Sequence, residues 1–107
     1  MDFSVITHIA KIDRKVLEEK DKAYGSSWRK YGGVSAFFNI ARKFDRFVVQ
    51  SEVSNYDSFK AYDNMPVGED SIIESVRDLR RYLFLFEAYL LYERGKENVD
   101  GNDDSRV

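Results

Sequence analysis

The stretch SIIESVRDLRRYLFLFEAYLLYER, residues 71–94, decides the fold class of this chain of 107 residues. Its apolar residues alternate spacings of four and three, which places them on one side of an α-helix. These residues are Ile72, Val76, Leu79, Leu83, Phe86 and Leu90. With Gly95 as its stop, the pattern predicts a helix over about 69–94, roughly 39 Å long at 1.5 Å per residue.

The second half of this helix is apolar on nearly every side. Five residues lie off the main stripe: Phe84, Leu85, Tyr89, Leu91 and Tyr92. A helix that is apolar all round has to be buried all round, and two shorter helices cannot cover it. We therefore expect a homo-oligomer in which the C-terminal halves of these long helices pack together.

Two further helices precede the long one. The stripe Val5, Ile9, Ile12 and Val16 predicts a helix over 4–23, with Asp2 or Ser4 as N-cap and Gly25 as its stop. A second stripe predicts a helix over 34–50, and its members are Val34, Phe37, Phe38, Ala41, Phe44 and Val48. The opposite side of that helix is polar.

Residues 51–68 lose this periodicity and read as a linker with one short helical turn around SFKAY. The sequence thus predicts an all-α fold of three main helices (about 4–23, 34–50 and 69–94) in an antiparallel bundle. One helical domain spans 1–94, and residues 95–107 form an acidic flexible tail.

Composition limits the possible functions. The chain has no cysteine, which favours a reducing compartment, so we expect a cytoplasmic protein. Its longest apolar run has eleven residues and includes Glu87, so we expect no membrane partner. A net charge of -2 argues against duplex nucleic acid as a partner, whereas a small basic pocket for one nucleotide remains compatible.

The loop AYGSSWRKYGG, residues 23–33, joins the first two helices. Glycines and hydroxyl groups before a helix can aim backbone N–H groups at an anion, and Arg29 would add charge. Tyr24 and Trp28 could stack on a base, or they could plug the seam between the helices. Both interpretations stay open.

Polar residues on the later helices also allow two interpretations. Asn39, Lys43 and Arg46 could grip phosphates or form a solvated face. Glu74 and Asp78 could share Mg²⁺. Alternatively, Ser71 and Glu74 form a capping box, and Asp78 pairs with Arg77, Arg81 or a basic residue of the second helix. His8 is more typical of a core edge than of a catalyst, and Tyr82 could face a ligand or cap the core.

The segments AYGSSWRKYGGVSAFFNIARKFDRF and GEDSIIESVRDLRRYLFLFEA resemble the two signature blocks of a small all-helical bacteriophage family. That family is related to the nucleotide-modification-associated domains, and it is similar in turn to the MazG-like nucleoside triphosphate pyrophosphatases. The resemblance covers about residues 17–92. It implies functional positions at Tyr24, Gly25, Ser27, Trp28, Arg29, Lys43, Asp45, Arg46, Asp78, Arg81 and Tyr82. Together with Asn39, and leaving aside Asp45 and Asp78, these are the candidate ligand-binding residues.

The chain departs from the pyrophosphatases that it resembles. Those enzymes hold Mg²⁺ with a Glu-x-x-Glu pair and a Glu-x-x-Asp pair, but here Ser75 stands three residues before Asp78. The remaining carboxylates that could act as metal ligands are Glu18, Asp21 and Glu74. Hydrolysis is therefore less favoured than phosphate binding.

Three functions are compatible with these patterns. The first is a nucleotide-binding protein that sequesters a nucleotide or a cyclic nucleotide signal of host defence, with no cofactor required for binding. The second is a Mg²⁺-dependent nucleoside triphosphate pyrophosphohydrolase that uses Glu18, Asp21, Glu74 and Asp78. The third is a non-catalytic interaction or inhibitor protein.

Overall fold

A computed structural model describes residues 1–97, and within that range the chain is all-helical with no strand. The long helices are α1 (Ser4–Tyr24), α2 (Gly33–Glu52) and α4 (Ile72–Ala88), and the linker contains the short helix α3 (Ser58–Asn64). A 3₁₀ turn covers Ser27–Arg29, and a π-helical turn at Tyr89–Glu93 leads into α5 (Arg94–Glu97). The predicted all-α class and the short linker helix are confirmed. Of the predicted acidic tail, residues 98–107 lie outside the described residues.

The helix ends follow local chemistry in most places. Gly25 ends α1 with a φ of 58°, a region that favours glycine, and its N–H donates to the Asp21 carbonyl at 2.8 Å. The Ser71 hydroxyl accepts the Glu74 N–H at 3.3 Å, which is half of the predicted capping box. Gly95 does not stop the last helix, because the chain continues through the π turn to Glu97.

Helices α2 and α4 form the closest-packed pair and run antiparallel. Lys43 lies against Asp78, whereas Arg46, further along α2, lies against Asp70 at the start of α4. Small residues in the contact, such as Ala36 and Ser75, are buried and allow the two backbones to approach closely. The predicted polar side of α2 is therefore the side that faces α4.

The predicted apolar stripe of α2 consequently faces away from the rest of the protomer. Val34, Phe37 and Phe38 are each about 60% exposed or more, and Phe44 is 51% exposed. Of the apolar side chains within residues 1–97, only Ala36 and Ile72 are fully buried. The stripe does not form a core within one chain, because charged and small residues already fill the α2–α4 contact.

Helix α1 lies beside this pair and is tied to α4 by one buried carboxylate. Asp13, 1% exposed, receives hydrogen bonds from Arg80 and Arg81. The radius of gyration is 16.5 Å, compared with about 13 Å for a compact domain of about 100 residues. The protomer is therefore elongated. Across residues 1–97 no helix is long and apolar enough to cross a membrane.

Candidate functional site

A cleft of about 210 Å³ opens between the C-terminal half of α1 and the α2–α4 pair. The end of α1 contributes one wall, the loop after Gly25 contributes a second, and α4 contributes the third. The lining residues are Leu17, Lys20, Asp21, Tyr24, Gly25, Ser27, Trp28, Lys43, Asp78, Arg81, Tyr82 and Leu85. Aromatic rings, cations and carboxylates thus share one small concave surface.

The aromatic walls come from three separate parts of the chain. Tyr24 at the end of α1 is 70% exposed, whereas Trp28 and Tyr82 are half-buried. The Trp28 ring also contacts the edge of Tyr89, with 6.0 Å between ring centroids. Trp28 therefore plugs the seam between the loop and the π turn, and it also lines the cleft. The two interpretations of this tryptophan are compatible.

Two of the cleft cations are held by carboxylates. The Lys43 Nζ lies 2.9 Å from Asp78 Oδ2, with side-chain exposures of 14% and 25%. Arg81 donates from Nε to Asp13 Oδ1 at 2.8 Å. Lys20 also lines the cleft and is exposed. Pairing with Lys43 is one of the alternatives that the sequence left open for Asp78.

Asp13 is the residue behind this site that sequence reasoning missed. Arg80 donates to both of its oxygens, at 2.5 and 2.9 Å. Hydrogen bonding from Arg80, followed by Arg81, lowers the pKa of Asp13 although burial opposes the shift. The same carboxylate raises the pKa of Arg80. The available signal was a lone acid next to Ile12 on the apolar side of α1, which implied a cationic partner such as the Arg80–Arg81 pair.

The cleft brings together seven of the ten predicted ligand-binding residues, with Asp21 and Asp78 beside them. The seven are Tyr24, Gly25, Ser27, Trp28, Lys43, Arg81 and Tyr82. Arg29, Asn39 and Arg46 lie elsewhere and make other contacts.

Arg29 lies on the far side of the loop. Its guanidinium carbon is 4.0 Å from the centre of the Tyr89 ring, and Nη2 is 2.8 Å from Glu97 Oε2. The Tyr89 hydroxyl donates to Glu97, and this bond raises the pKa of Tyr89 and lowers that of Glu97. Arg29 thus braces the loop against the last helical turns.

Asn39 and Arg46 have structural partners. The Asn39 amide donates to the carbonyls of Trp28 at 3.0 Å and Ser35 at 3.1 Å, so it fixes the backbone of the loop. Arg46 donates to the Glu69 carbonyl and to Asp70 Oδ1 at the entry to α4. These two residues position elements around the cleft and do not line it.

The loop glycines also act differently from the anion cradle that the sequence suggested. Gly32 and Gly33 line a separate depression beside Tyr89 and Arg94, away from Lys43 and Asp78. The N–H of Gly25, which is in the cleft, is already bonded to the Asp21 carbonyl. Anion binding in the cleft would therefore not use a glycine N–H, and the positive charge would come from Lys20, Lys43 and Arg81.

The four predicted Mg²⁺ ligands do not form one cluster. Glu18 pairs with Arg14 at 3.4 Å, and Glu74 pairs with Arg77 at 2.6 Å. Within residues 1–97 no group of three or more His, Cys, Asp or Glu side chains is placed to hold a metal. Only Asp21 and Asp78 line the cleft. His8 is exposed on α1, so it is not the core-edge residue that its position suggested.

Comparison of the chain with protein-family models, curated proteins and solved structures gave no significant match, so the interpretation of the cleft depends on its own geometry.

Proposed function

We propose that this protein binds a nucleotide in the cleft between α1, α2 and α4. The observation that carries the proposal is the convergence of Lys20, Lys43 and Arg81 with the aromatic side chains of Trp28 and Tyr82 on one concave surface. Cations supply phosphate affinity, and aromatic faces accept a base by stacking. The two requirements of a nucleotide ligand are met within one cleft.

Three cations, Lys20, Lys43 and Arg81, and two carboxylates, Asp21 and Asp78, line the cleft, which leaves a surplus of one positive charge for an anion. Lys43 and Asp78 neutralise each other in the free protein, with 2.9 Å between Nζ and Oδ2. A phosphate group would compete with Asp78 for Lys43, while Lys20 adds a further positive charge at the rim. Asp78 therefore occupies the position beside Lys43 that a phosphate group would take, and it weakens phosphate binding. We call this the placeholder role of Asp78.

The size of the cleft limits the ligand. At about 210 Å³ it is smaller than the roughly 300–1,000 Å³ typical of sites for drug-sized ligands. A single nucleotide with part of its surface in solvent suits this volume better than an extended strand does. Sequestration of a free or cyclic nucleotide is the activity that we propose.

The proposal extends to quaternary structure. In the proposed assembly, the three long helices of each copy form an antiparallel bundle, and the copies associate through the C-terminal half of the α4 segment. Leu83, Phe84 and Phe86 are between 38% and 47% exposed, and Tyr92 is 68% exposed. Burying such side chains is the main source of association free energy, so packing of these segments against each other would supply the missing core.

The first experiment uses Trp28, the single tryptophan of the chain, as a built-in reporter. We expect mono-, di- and cyclic nucleotides to change its fluorescence and to give matching affinities by calorimetry. Lys20→Gln is expected to weaken binding about fivefold to tenfold, because it removes one charge-assisted contact to phosphate. Lys30→Gln, an exposed lysine outside the cleft, is the matched control.

Asp78→Asn tests the placeholder role. We expect tighter nucleotide binding, with and without Mg²⁺, because the amide no longer competes with phosphate for Lys43. Loss of binding in this variant, with the fold intact by circular dichroism, would count against the proposal and favour a metal-dependent site. Absence of any calorimetric or fluorescence response from the wild-type protein would refute nucleotide binding altogether.

A further inference from the structure

The outer face of α2 is an unusually apolar surface for the exterior of a protomer. Val34, Phe37, Phe38, Phe44 and Val49 are exposed by 65%, 60%, 62%, 51% and 60%, respectively. At about 150–250 Å² per phenylalanine, the three rings alone leave roughly 300–400 Å² of apolar surface in water. That area already matches the largest apolar patch of a typical monomer, which is about 300–600 Å².

This face has no partner within the described chain. The opposite side of α2 packs on α4, through contacts such as Lys43 with Asp78 and Gln50 with Ser75. Residues 98–107, NVDGNDDSRV, contain only two apolar side chains, Val99 and Val107, so their composition does not suit an aromatic surface. A second copy of the chain is present wherever the protein is present, and it offers the same apolar face as a partner.

The chemistry of the face is self-complementary. Ala41 lies in the middle of the stripe, where a small side chain permits close approach of two helices, and the phenylalanine rings flank it. Arg42 and Asp45 line the same surface and are both exposed. In an antiparallel pairing about a two-fold axis level with the midpoint between Arg42 and Asp45, Arg42 of one copy faces Asp45 of the other, twice.

We propose that two copies of this chain pair through the outer face of α2 about such a two-fold axis. The surface is distinct from the C-terminal half of α4, and it lies on the side of α2 opposite to Lys43. The cleft therefore stays open in the pair. The pairing does not depend on nucleotide binding, so the two proposals can fail separately.

The first test measures molar mass by light scattering. We expect the wild type to contain at least two copies of the chain, and the double change Phe37→Ser and Phe44→Ser is expected to halve its mass. The matched control is Phe59→Ser, which alters an 83% exposed phenylalanine on α3 and should leave the mass unchanged. A double variant that keeps its helical content and its full mass would overturn the pairing.

A second test exchanges charges and leaves every aromatic side chain in place. Arg42→Asp alone and Asp45→Arg alone each set like charges opposite one another, and each should raise the dissociation constant of the pair about tenfold. The combination of the two restores opposite charges and should restore the wild-type constant. The two-fold arrangement is wrong if the doubly changed protein has a dissociation constant as high as those of the single variants. It is also wrong if the single changes leave the dissociation constant unaltered. Nucleotide-dependent Trp28 fluorescence is measured in parallel and is expected to persist in all three variants.

Discussion

The two faces of α2 reverse the usual distribution of polarity. The inner face, against α4, carries Lys43, Arg46 and Gln50 together with buried small residues, whereas the outer face presents Phe37 and Phe38 to solvent. The inner face is nevertheless well satisfied, since no buried side-chain nitrogen or oxygen within residues 1–97 lacks a hydrogen-bond partner. Polar pairing joins the helices within one chain, and the apolar surface of α2 stays exposed to solvent.

This contrast shows what hydrophobic periodicity measures. An apolar stripe identifies the side of a helix that favours shielding from water, but it does not identify the surface that shields it. The α2–α4 contact depends on specific hydrogen bonds. Removing one partner of a buried hydrogen bond lowers the free energy of unfolding far more than changing a surface residue does. Variants on the two faces should therefore behave differently.

The largest effect is expected at Asp13, the carboxylate that fastens α1. Asp13→Asn keeps the shape but removes the charge that Arg80 and Arg81 share, and it should reduce the free energy of unfolding by about 3 kcal/mol. Chemical denaturation measures the change. Asp21→Asn, at an exposed position on the same helix, is the control and should change stability by less than about 0.5 kcal/mol. Equal stability of both variants would show that the buried cluster does not hold α1.

The second effect concerns the close contact of α2 with α4. Ser75 is 1% exposed and donates to Gln50 Oε1 at 2.7 Å. Ser75→Leu adds volume at this contact and removes the hydrogen bond, so we expect a loss of about 2 kcal/mol. Ser4→Leu, on the exposed start of α1, should be nearly neutral in the same denaturation experiment. A stabilising Ser75→Leu change would mean that α2 and α4 prefer an apolar contact.

Sequence reasoning was accurate at two helix ends, although it failed at Gly95. The end of α1 at Gly25 and the cap at Ser71 follow from single residues and their neighbours. It did not identify the surroundings of Phe37 and Phe44, because the partner of a helix face depends on the whole fold. The buried role of Asp13 depends on Arg80, which is 67 residues away in the chain, so spacing within one helix could not show it.

The acid stability of the protein tests the same cluster in another way. Hydrogen bonds from Arg80 and then Arg81 lower the pKa of Asp13 in the folded state below its ordinary value of 3.8. A lowered folded pKa gives stability that is fully present above the unfolded value and is lost as the pH falls through the folded value. The stability difference between wild type and Asp13→Asn should therefore be constant near neutral pH and narrow below about pH 4. A difference that does not change with pH would show that Asp13 is not the titrating group.

The smallest effect on the protomer itself is expected on the outer face of α2. At high dilution, where copies are separated, Phe37→Ser should change the free energy of unfolding by less than about 0.5 kcal/mol, because this side chain is already 60% exposed. At high concentration the wild type gains stability by mass action, by about 2.7 kcal/mol when the free concentration is a hundred times the dissociation constant, and the variant gains less. When melting temperature is plotted against protein concentration over a wide range, the wild type should give a steep line and Phe37→Ser a shallower one. In Ser75→Leu the slope should equal that of the wild type while every melting temperature is lower, since the inner face acts within one chain and the proposed pairing through the outer face acts between chains. If the wild type and Phe37→Ser give parallel lines, the outer face does not act between chains, and the proposed distinction between the two faces is wrong.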